Sequence, residues 1–370
     1  MAIRAVQFRH ALLRWYRKHG RDLPWRQTRN PYAVLVSEFM LQQTQVAAVL
    51  PFYNEWLRRF PDFAALARAS QKDVLHAWQG LGYYARARHL HATAKLVQDR
   101  HRDGFPSEID SMRELPGVGR YIAHATATFA FDQAVPVVEA NTSRVLTRLF
   151  DLRLPIDHTA GRNALWQYAR ALLPPTGARI YNSALMDLGA LVCLRRPKCA
   201  ICAVKTFCRA NRPETLPVKR ARPPIAYLVE NHALVSRRNK ILLQEAQHRW
   251  RGMWILPRLA LDGFKPPSLQ PNEVYTGVFP FTHHRITLKV FVQRKRKIDS
   301  YLGRWFNLNA LDTIPIPTPH RRAIISLLKP EGSHTLRLKE HSPAITEDSD
   351  EKHDRLRSRR GRAQRPSVLC

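Results

Sequence analysis

The sequence predicts a mainly α-helical domain built around a helix–hairpin–helix turn, followed by a smaller α+β domain. Residues 1 to 208 have helical spacing, and Leu115–Tyr121 (LPGVGRY) interrupts them with two glycines that flank one apolar residue. Four cysteines lie close together at 193–208, which predicts a metal or cluster loop. From Ile225 onward the period changes to that of short strands broken by turns.

The composition favours a nucleic-acid partner. The 370 residues are enough for two or three domains, and 60 Lys and Arg stand against 29 Asp and Glu, a formal charge of +31. Any single basic cluster can be ordinary solvated surface, but an excess spread along the whole chain favours a polyanion. The sequence has no apolar run of membrane-spanning length and no signal-peptide pattern. We therefore expect a soluble, cytoplasmic monomer that is nucleoid-associated if bacterial.

The helical part has recognisable boundaries. Residues 2–19 form a basic amphipathic pattern, and Asn30–Pro31 is a good cap and first-turn pair for a helix to about Leu50. Pro51 is the predicted start of the next helix. The hairpin lies between an amphipathic stretch at 107–114 and a small-residue helix at 121–131.

The second domain follows a linker. Residues 209–224 are basic and rich in proline, as linkers are. Residues 225–329 then form the predicted α+β domain, with strands near 227–229, 233–235, 241–243 and 286–292. Residues 330–370 are polar without any period, which predicts a disordered tail in which Cys370 has no role.

The hairpin is the first candidate site. Gly117 and Gly119 permit a positive φ and close backbone approach on either side of Val118. Bare N–H groups at the following helix start can bind a phosphate. The alternative is an ordinary turn between two helices.

Two glutamates are candidate catalytic groups. Glu38 lies in an apolar stretch, so it is either exposed on a polar helix face or a desolvated acid with a raised pKa. Glu139 precedes a helix at 142–150 and is either a helix-terminal carboxylate favoured by the dipole or a group that stabilises a nearby cation.

Polar and aromatic side chains near these positions suit contact with bases. Residues 42–45 (QQTQ) are uncharged hydrogen-bonding side chains that can probe base edges. Trp25–Arg26 and Tyr83–Tyr84, followed by Arg86 and Arg88, place aromatic rings next to cations. Core packing is one interpretation of the rings; stacking on an unpaired base with phosphate contact is the other.

The four cysteines have the spacing Cys193-x5-Cys199-x2-Cys202-x5-Cys208. Four thiolates in sixteen residues bind either a structural zinc or an iron–sulfur cluster, and the spacing does not decide between them. Such a cluster of thiols suits a reducing compartment better than a disulfide framework.

Several long motifs occur together in the order found in one family. They are LPWR at 23–26, SEFMLQQTQV at 37–46, GLGYYARAR at 80–88, the hairpin, MDLGA at 186–190 and the four cysteines. In this the chain resembles the MutY adenine DNA glycosylases, which are helix-hairpin-helix base-excision enzymes, over residues 8–208. Residues 251–257 and 279–288 look more loosely like the family's MutT-like (Nudix-like) domain. A Nudix hydrolase box is absent after Trp254, so that domain should recognise a base and not hydrolyse nucleotides.

The resemblance implies a role for each matching residue. Glu38 would protonate N7 of a flipped adenine, Tyr121 would assist near the sugar, and Glu139 would face the sugar cation. Flipping is easiest at a mismatch, so the implied partner is double-stranded DNA with adenine opposite 8-oxoguanine or guanine. The cofactor would be a 4Fe-4S cluster, with zinc as the alternative. The other implied contacts are the adenine pocket (Trp25, Arg26, Leu41, Val46, Asp187, Ser183), DNA (Gln42, Gln43, Tyr83, Arg86, Arg88, Gly117, Val118, Gly119) and the opposite base (Phe281, Thr282, His283).

The chain departs from the family pattern at three places. Glu139 stands where the family has Asp, Ser183 where it usually has Gln, and five residues instead of six separate the first two cysteines. The rival functions are a glycosylase for another mismatched or damaged base, a glycosylase/lyase, and a lesion-binding protein without turnover. The lyase is disfavoured because the Schiff base needs a Lys where Tyr121 stands.

Overall fold

The computed structural model describes residues 4–100, 104–221, 223–259, 273–292 and 303–328. The predicted tail at 330–370, with Cys370, lies outside the described residues. Among the helices in the described ranges, none is both long and apolar enough to cross a membrane.

The N-terminal part is helical, as predicted. Its helices are α1 (Ala5–His19), α2 (Pro24–Gln27), α3 (Pro31–Leu41), α4 (Val46–Arg59), α5 (Phe63–Arg68), α6 (Gln71–Ala77), α7 (Ala85–Arg100), α8 (Ile109–Arg113), α9 (Arg120–Phe131), α10 (Ala140–Phe150), α11 (Thr159–Leu172) and α12 (Ala178–Leu191). Short 3₁₀ turns at Cys199–Ile201, Lys205–Phe207 and Pro213–Thr215 follow α12.

Two predicted helix boundaries were wrong. The helix that Asn30–Pro31 begins ends at Leu41, not near Leu50, and a turn at 42–45 separates it from α4. Pro51 lies inside α4 and does not begin a helix. Because α3 ends at Leu41, the polar residues 42–45 lie in a loop and not in a helix.

Two large apolar clusters, and a small one that joins Val34 of α3 to Phe129 of α9, hold the helices together. The larger one surrounds α3 and includes Trp56, Trp78 and Ile122. The second joins α1, α10 and α12 through Phe8, Leu146 and similar side chains. Helices α3 and α9 pack against each other, as do α10 and α12, so the acidic residues on these helices are brought to one region.

The C-terminal part contains strands β1 (Ala226–Leu234), β2 (Ser236–Arg237), β3 (Lys240–Glu245), β4 (Trp254–Ile255), β5 (Glu273–Phe281), β6 (His284–Val292) and β7 (Arg304–Asn307), then helix α13 (Thr318–Leu328). Strand β6 pairs in parallel with β1 and antiparallel with β5, while β3 pairs antiparallel with β2, β4 and β7. The α+β prediction is confirmed, and the two strands predicted at 227–235 form the single strand β1.

The C-terminal part packs directly on the helical part. Met253 is fully buried in the same apolar cluster as Trp78. Arg88 donates to the carbonyl oxygen of Arg251 at 3.1 Å, and His76 contacts the carbonyl oxygen of Asp312 at 2.6 Å. The two parts therefore share packing and hydrogen bonds, and the boundaries predicted between them remain a prediction.

Candidate active site

Glu38 is a buried acid on α3. The side chain of Asn30 caps this helix by accepting the N–H groups of Tyr32 and Ala33 at 2.8 and 3.3 Å. Every residue from Tyr32 to Met40 is buried, and Glu38 is 3% exposed. Burial raises the pKa of Glu38 to about 7. The desolvated-acid interpretation is therefore the one that the structure supports.

Tyr121 holds the Glu38 carboxyl in place. Its hydroxyl donates to Glu38 Oε2 at 2.6 Å from the first turn of α9, directly after the hairpin. Burial and the charges of Glu38 and Glu139 raise the pKa of Tyr121 well above its usual value. The hydroxyl therefore remains protonated and able to donate.

Glu139 caps α10 and lies within electrostatic reach of Glu38. Its Oε1 accepts the N–H of Thr142 at 2.8 Å, and its Oε2 accepts the N–H of Asn141 at 2.7 Å. Burial raises the pKa of Glu139 against these hydrogen bonds. The charge of Glu139 in turn raises the pKa of Glu38, so the two carboxyls and Tyr121 form one site.

Asp187 binds the arginines beside the site, and its predicted place in the adenine pocket remains a prediction. It is fully buried on α12 and accepts the backbone N–H of Arg21, the Arg21 guanidinium and the Arg26 guanidinium at 2.7–2.9 Å. Burial alone would raise the pKa of Asp187, but Arg26 and Arg21 bring it below its usual value. Asp187 thus fixes Arg26, whose charge lowers the pKa of Glu38.

Arg21 is a residue that the sequence analysis missed. Besides its bonds to Asp187, its charge lowers the pKa of Glu139. Its position two residues before the LPWR motif was the available signal. The pair of arginines places positive charge between three carboxylates.

The other predicted pocket residues lie around this centre. Trp25 is buried against Tyr53, with the rings edge to face at 5.2 Å. Leu41 and Val46 are half-buried at the two ends of the 42–45 turn and pack on the same cluster as Trp25. Ser183 is buried on α12, one turn before Asp187. Their contact with a base remains a prediction.

The hairpin presents its second glycine outward. Gly117 has φ +78° and its α-carbon faces His89, which a Cβ would meet at 2.7 Å. Gly119 begins α9 without a side-chain cap, and a Cβ there would meet no atom of the described chain within 4 Å. Val118 is buried and its N–H donates to the carbonyl oxygen of Leu115 at 3.0 Å, while its predicted contact with DNA remains a prediction.

Two loops present polar or aromatic tips to solvent. Gln43 has φ +56° in the 42–45 turn, and Tyr83 has φ +44° and is 47% exposed. Positive φ is uncommon for such residues and must be enforced by the surroundings. Gln42 ends α3 beside this tip.

Arg86 fixes the shapes of both loops, and its predicted contact with DNA remains a prediction. Its side chain is buried, and burial lowers its pKa to about 10. The guanidinium donates at 2.6–3.3 Å to main-chain oxygens of Phe39, Met40, Gln42, Leu81 and Gly82 and to Thr44 Oγ1. One cation therefore ties the end of α3 to both loops. Arg88 is half-buried and bound to Arg251.

Phe281, Thr282 and His283 form the tip of the β5–β6 hairpin. Thr282 and His283 are exposed between the paired residues Phe281 and His284. Thr282 has φ +54°, and its hydroxyl donates to the carbonyl oxygen of Phe281 at 2.7 Å. Arg249 lies over the Phe281 ring at 4.7 Å from its centroid. A recognition surface at this tip is compatible with the exposure of the loop.

The four cysteines lie together after α12. All four are free thiols of intermediate exposure. Burial raises the pKa of Cys202, and the other three thiols raise it further, which places all four within electrostatic reach. Arg148 is a buried residue that the sequence analysis missed. Its guanidinium donates to Cys193 Sγ at 3.2 Å, and its main-chain carbonyl oxygen accepts from Cys208 Sγ at 3.4 Å. Within the described residues no three His, Cys, Asp or Glu side chains are arranged to hold a single metal ion.

Comparisons with known proteins agree with this geometry. The HhH-GPD superfamily of base excision DNA repair proteins matches residues 36–170. An adenine DNA glycosylase of Buchnera aphidicola subsp. Baizongia pistaciae (strain Bp) is 30% identical over 347 residues, which is 88% of this chain and 98% of that protein. The adenine DNA glycosylase of Mus musculus is 43% identical over 213 residues, 55% of this chain and 41% of that protein.

A solved structure supports the fold. The structure of a thermostable thymine-DNA glycosylase is similar with a TM-score of 0.51 and 30% identity, over 55% of this chain and 94% of that one. The helix–hairpin–helix glycosylase fold predicted for the N-terminal part is thereby confirmed. For the C-terminal part only its α+β character is confirmed.

Proposed function

The chain belongs to the family of adenine DNA glycosylases, and from this premise we propose that it removes adenine mispaired with 8-oxoguanine or guanine. It is a base excision repair enzyme that hydrolyses the bond between a base and its sugar. The observation that carries the mechanism is the 2.6 Å hydrogen bond between Tyr121 and buried Glu38, whose pKa is about 7. An acid with that pKa can donate a proton at neutral pH.

The reaction needs an acid and an anion. Glu38 gives its proton to N7 of the flipped adenine while the bond from N9 to C1′ breaks and its electron pair stays on the base. Positive charge builds on the sugar, and the Glu139 carboxylate faces it. Water then attacks C1′ and loses a proton to the Glu38 carboxylate, which restores the acid.

The enzyme is monofunctional in this proposal. A lyase forms a Schiff base through an amine, and the matching position carries the hydroxyl of Tyr121, which is committed to Glu38. The product is an abasic site in an intact strand. Arg26, fixed by Asp187, limits how far the pKa of Glu38 rises.

The two loops tied by Arg86 extrude the base. Gln43 and Tyr83 stand at their tips and enter the duplex, which lowers the cost of flipping a mispaired nucleotide. Arg86 acts as a positioning residue, because its bonds fix both backbones before DNA arrives.

The hairpin binds a phosphate through the first turn of α9, and Gly119→Val tests this. Gly119 has room for a side chain and a φ of −83°, so the variant should fold normally. The added methyls would hold a phosphate away from the N–H groups, so we expect affinity for every duplex to fall roughly tenfold or more. Gly117→Val is a poor test, because the valine side chain would clash with His89 and because valine does not tolerate the positive φ of this position. Unchanged affinity in titrations with matched and mismatched duplexes would remove the hairpin from the interface.

The C-terminal part is a Nudix-like domain that reads the opposite base, and Thr282→Ala tests this. If the Thr282 hydroxyl reads the oxidised edge, its loss costs a hydrogen bond of about 1 kcal/mol, a fivefold loss of preference for 8-oxoguanine over guanine. Thr282→Ser keeps the hydroxyl and is the matched control. Equal preference in parent, Ala and Ser variants would refute the role of this loop.

The thiols of Cys193, Cys199, Cys202 and Cys208 hold a 4Fe-4S cluster in this proposal. The family resemblance favours iron over zinc, since the spacing of the cysteines suits either group. The four thiols lie within electrostatic reach of one another, and buried Arg148, which donates to Cys193 Sγ at 3.2 Å, offsets negative charge on the thiolates. The cluster has a structural role, because all four ligands come from the chain. Zinc without iron or sulfide in anaerobically purified protein would overturn this assignment.

One assay separates this function from its rivals. Alkali-dependent strand scission is expected on duplexes with A:8-oxoG and A:G, and none on T:G or undamaged pairs. Because the chain is similar to a thymine-DNA glycosylase, a duplex with a T:G mismatch is the alternative substrate to include in the assay. Scission without alkali would indicate a lyase, and binding without any release would indicate a lesion-binding protein.

A further inference from the structure

A groove beside the hairpin lies outside the active site and has no role in the proposed reaction. It has a volume of about 240 Å³ and is lined by Arg120, Asn163, Trp166, Gln167 and Arg170. The last four residues follow each other at helical spacing on one face of α11. Arg120 comes directly after Gly119, at the first position of α9. The groove therefore adjoins the N–H groups of the hairpin.

Arg120 is preordered for binding an anion. Its guanidinium carbon lies 3.8 Å from the centroid of the Trp166 ring, and the ring is held edge to face against His124 at 4.8 Å. Stacking on an aromatic face fixes the planar group and leaves its N–H edge free to bind an oxyanion with two parallel bonds. Arg120 is exposed, so that edge faces solvent.

The charges around the groove are unbalanced. None of the ion pairs in the described part of the chain includes Arg120 or Arg170. Arg113 and Arg170 lie close enough to Arg120 that their charges act on it, and all three act on His124. Arg113 is paired with Asp110 at 3.6 Å, so the unbalanced charges are those of Arg120 and Arg170, and a bound anion relieves the repulsion between them.

We propose that this groove is a second backbone site for DNA, in which Arg120 and Arg170 each bind a phosphodiester next to the one held by the hairpin. The proposal rests on the proposed DNA-binding function and extends its contact surface onto α11. The amide side chains of Asn163 and Gln167 are suited to phosphate and sugar oxygens, not to a second charge. The groove is open and continuous with the hairpin, which favours a strand over a free nucleotide.

The test is the salt dependence of duplex binding by the full chain. Arg120→Gln and Arg170→Gln should each reduce the slope of log affinity against log salt by about 0.9 and weaken binding roughly tenfold at 0.1 M salt. The affinity of each variant for matched duplex should fall by the same factor as its affinity for mismatched duplex. Arg162→Gln is the matched control, because Arg162 is exposed on the same helix outside the groove and the charge change is identical.

A neutral substitution sharpens the test. Trp166→Leu leaves the net charge unchanged but removes the ring on which Arg120 stacks. The slope of log affinity against log salt for this variant should therefore approach the reduced slope of Arg120→Gln. Trp166→Phe retains a ring and should bind like the parent.

The possible failures are distinguishable. If Arg170→Gln and Arg162→Gln change the slope equally, or Trp166→Leu changes nothing, general charge explains the binding and the groove is not a site. If ATP or inorganic phosphate binds the groove more tightly than duplex does, the ligand assignment is wrong. If the parent itself fails to bind duplex, the proposed function fails and not only this extension of it.

Discussion

A Glu38→Gln variant is expected to bind mismatched DNA like the parent and to release adenine at least a hundredfold more slowly. The substitution keeps the size of the side chain and the acceptor for Tyr121, but the amide N–H is far too weak an acid to transfer a proton. General acids of this kind contribute about 10²–10⁴-fold in rate. Single-turnover release from a saturated complex, with affinity measured separately, isolates this step.

The parent should lose activity as the pH rises through about 7. Glu38 must be protonated to act, and its pKa is raised to about 7, so the active fraction falls above that value. Below it the rate should be level until Glu139, whose pKa is also raised, loses its charge. A rate that stays constant from pH 6 to 9 would contradict the assignment of Glu38 as the acid.

The Glu38→Gln variant should be no less stable than the parent. The folded protein binds the Glu38 proton more tightly than the unfolded chain, so stability falls between the unfolded pKa near 4.5 and about 7. Above that pH the buried carboxylate lowers the free energy of unfolding by an amount on the order of 1–3 kcal/mol, which Gln removes. A lower melting temperature at pH 8 would mean that lost activity reflects damage to the fold.

The sequence was sufficient to find the acid but not to determine its environment. An isolated glutamate in an apolar stretch is ambiguous until the helix is known to be buried on all sides, as α3 is. The end of α3 was missed for a related reason. Residues 42–50 can continue a helix by local preference, and the tertiary bonds from Arg86 to the carbonyl oxygens of Met40 and Gln42 end it instead.

Buried arginines account for most of the differences in the site. Arg86 and Arg148 were indistinguishable from surface arginines in a chain of this charge, yet each lies buried and satisfies carbonyl or sulfur atoms. The MDLGA motif singled out Asp187, but its ion pair with Arg26 joins residues that are far apart in the sequence and depends on the tertiary packing. The partner of Asp187 is thus determined by a contact between residues more than a hundred positions apart.

Glu139 has two possible duties, and the structure allows them to be separated. It is the N-cap of α10, and each carboxylate oxygen already accepts a main-chain N–H. A carboxylate oxygen can accept a second bond, so capping leaves capacity to face the sugar cation. The extra methylene relative to the family's Asp shifts the charge by roughly an ångström, and errors of that size can cost about a hundredfold. We therefore expect a slow but real glycosylase.

Three substitutions at Glu139 give different results under the two duties. Glu139→Asp retains cap and charge and should match or exceed the parental rate. Glu139→Gln removes the charge and should lower the rate by about 10²–10³-fold. Glu139→Ser restores a favoured cap without an anion, so it should fold like the parent and be as inactive as the Gln variant.

The Ser variant decides the question, because it changes only one of the two duties. If it releases adenine as fast as the parent in single-turnover experiments, Glu139 is a helix cap and the sugar cation is stabilised elsewhere. If Ser and Gln are both stable and inactive while Asp is active, the anion is required. If the parent and the Asp variant both bind mismatched duplex and release nothing, the chain is a lesion-binding protein, and Glu38 is a buried acid without a reaction.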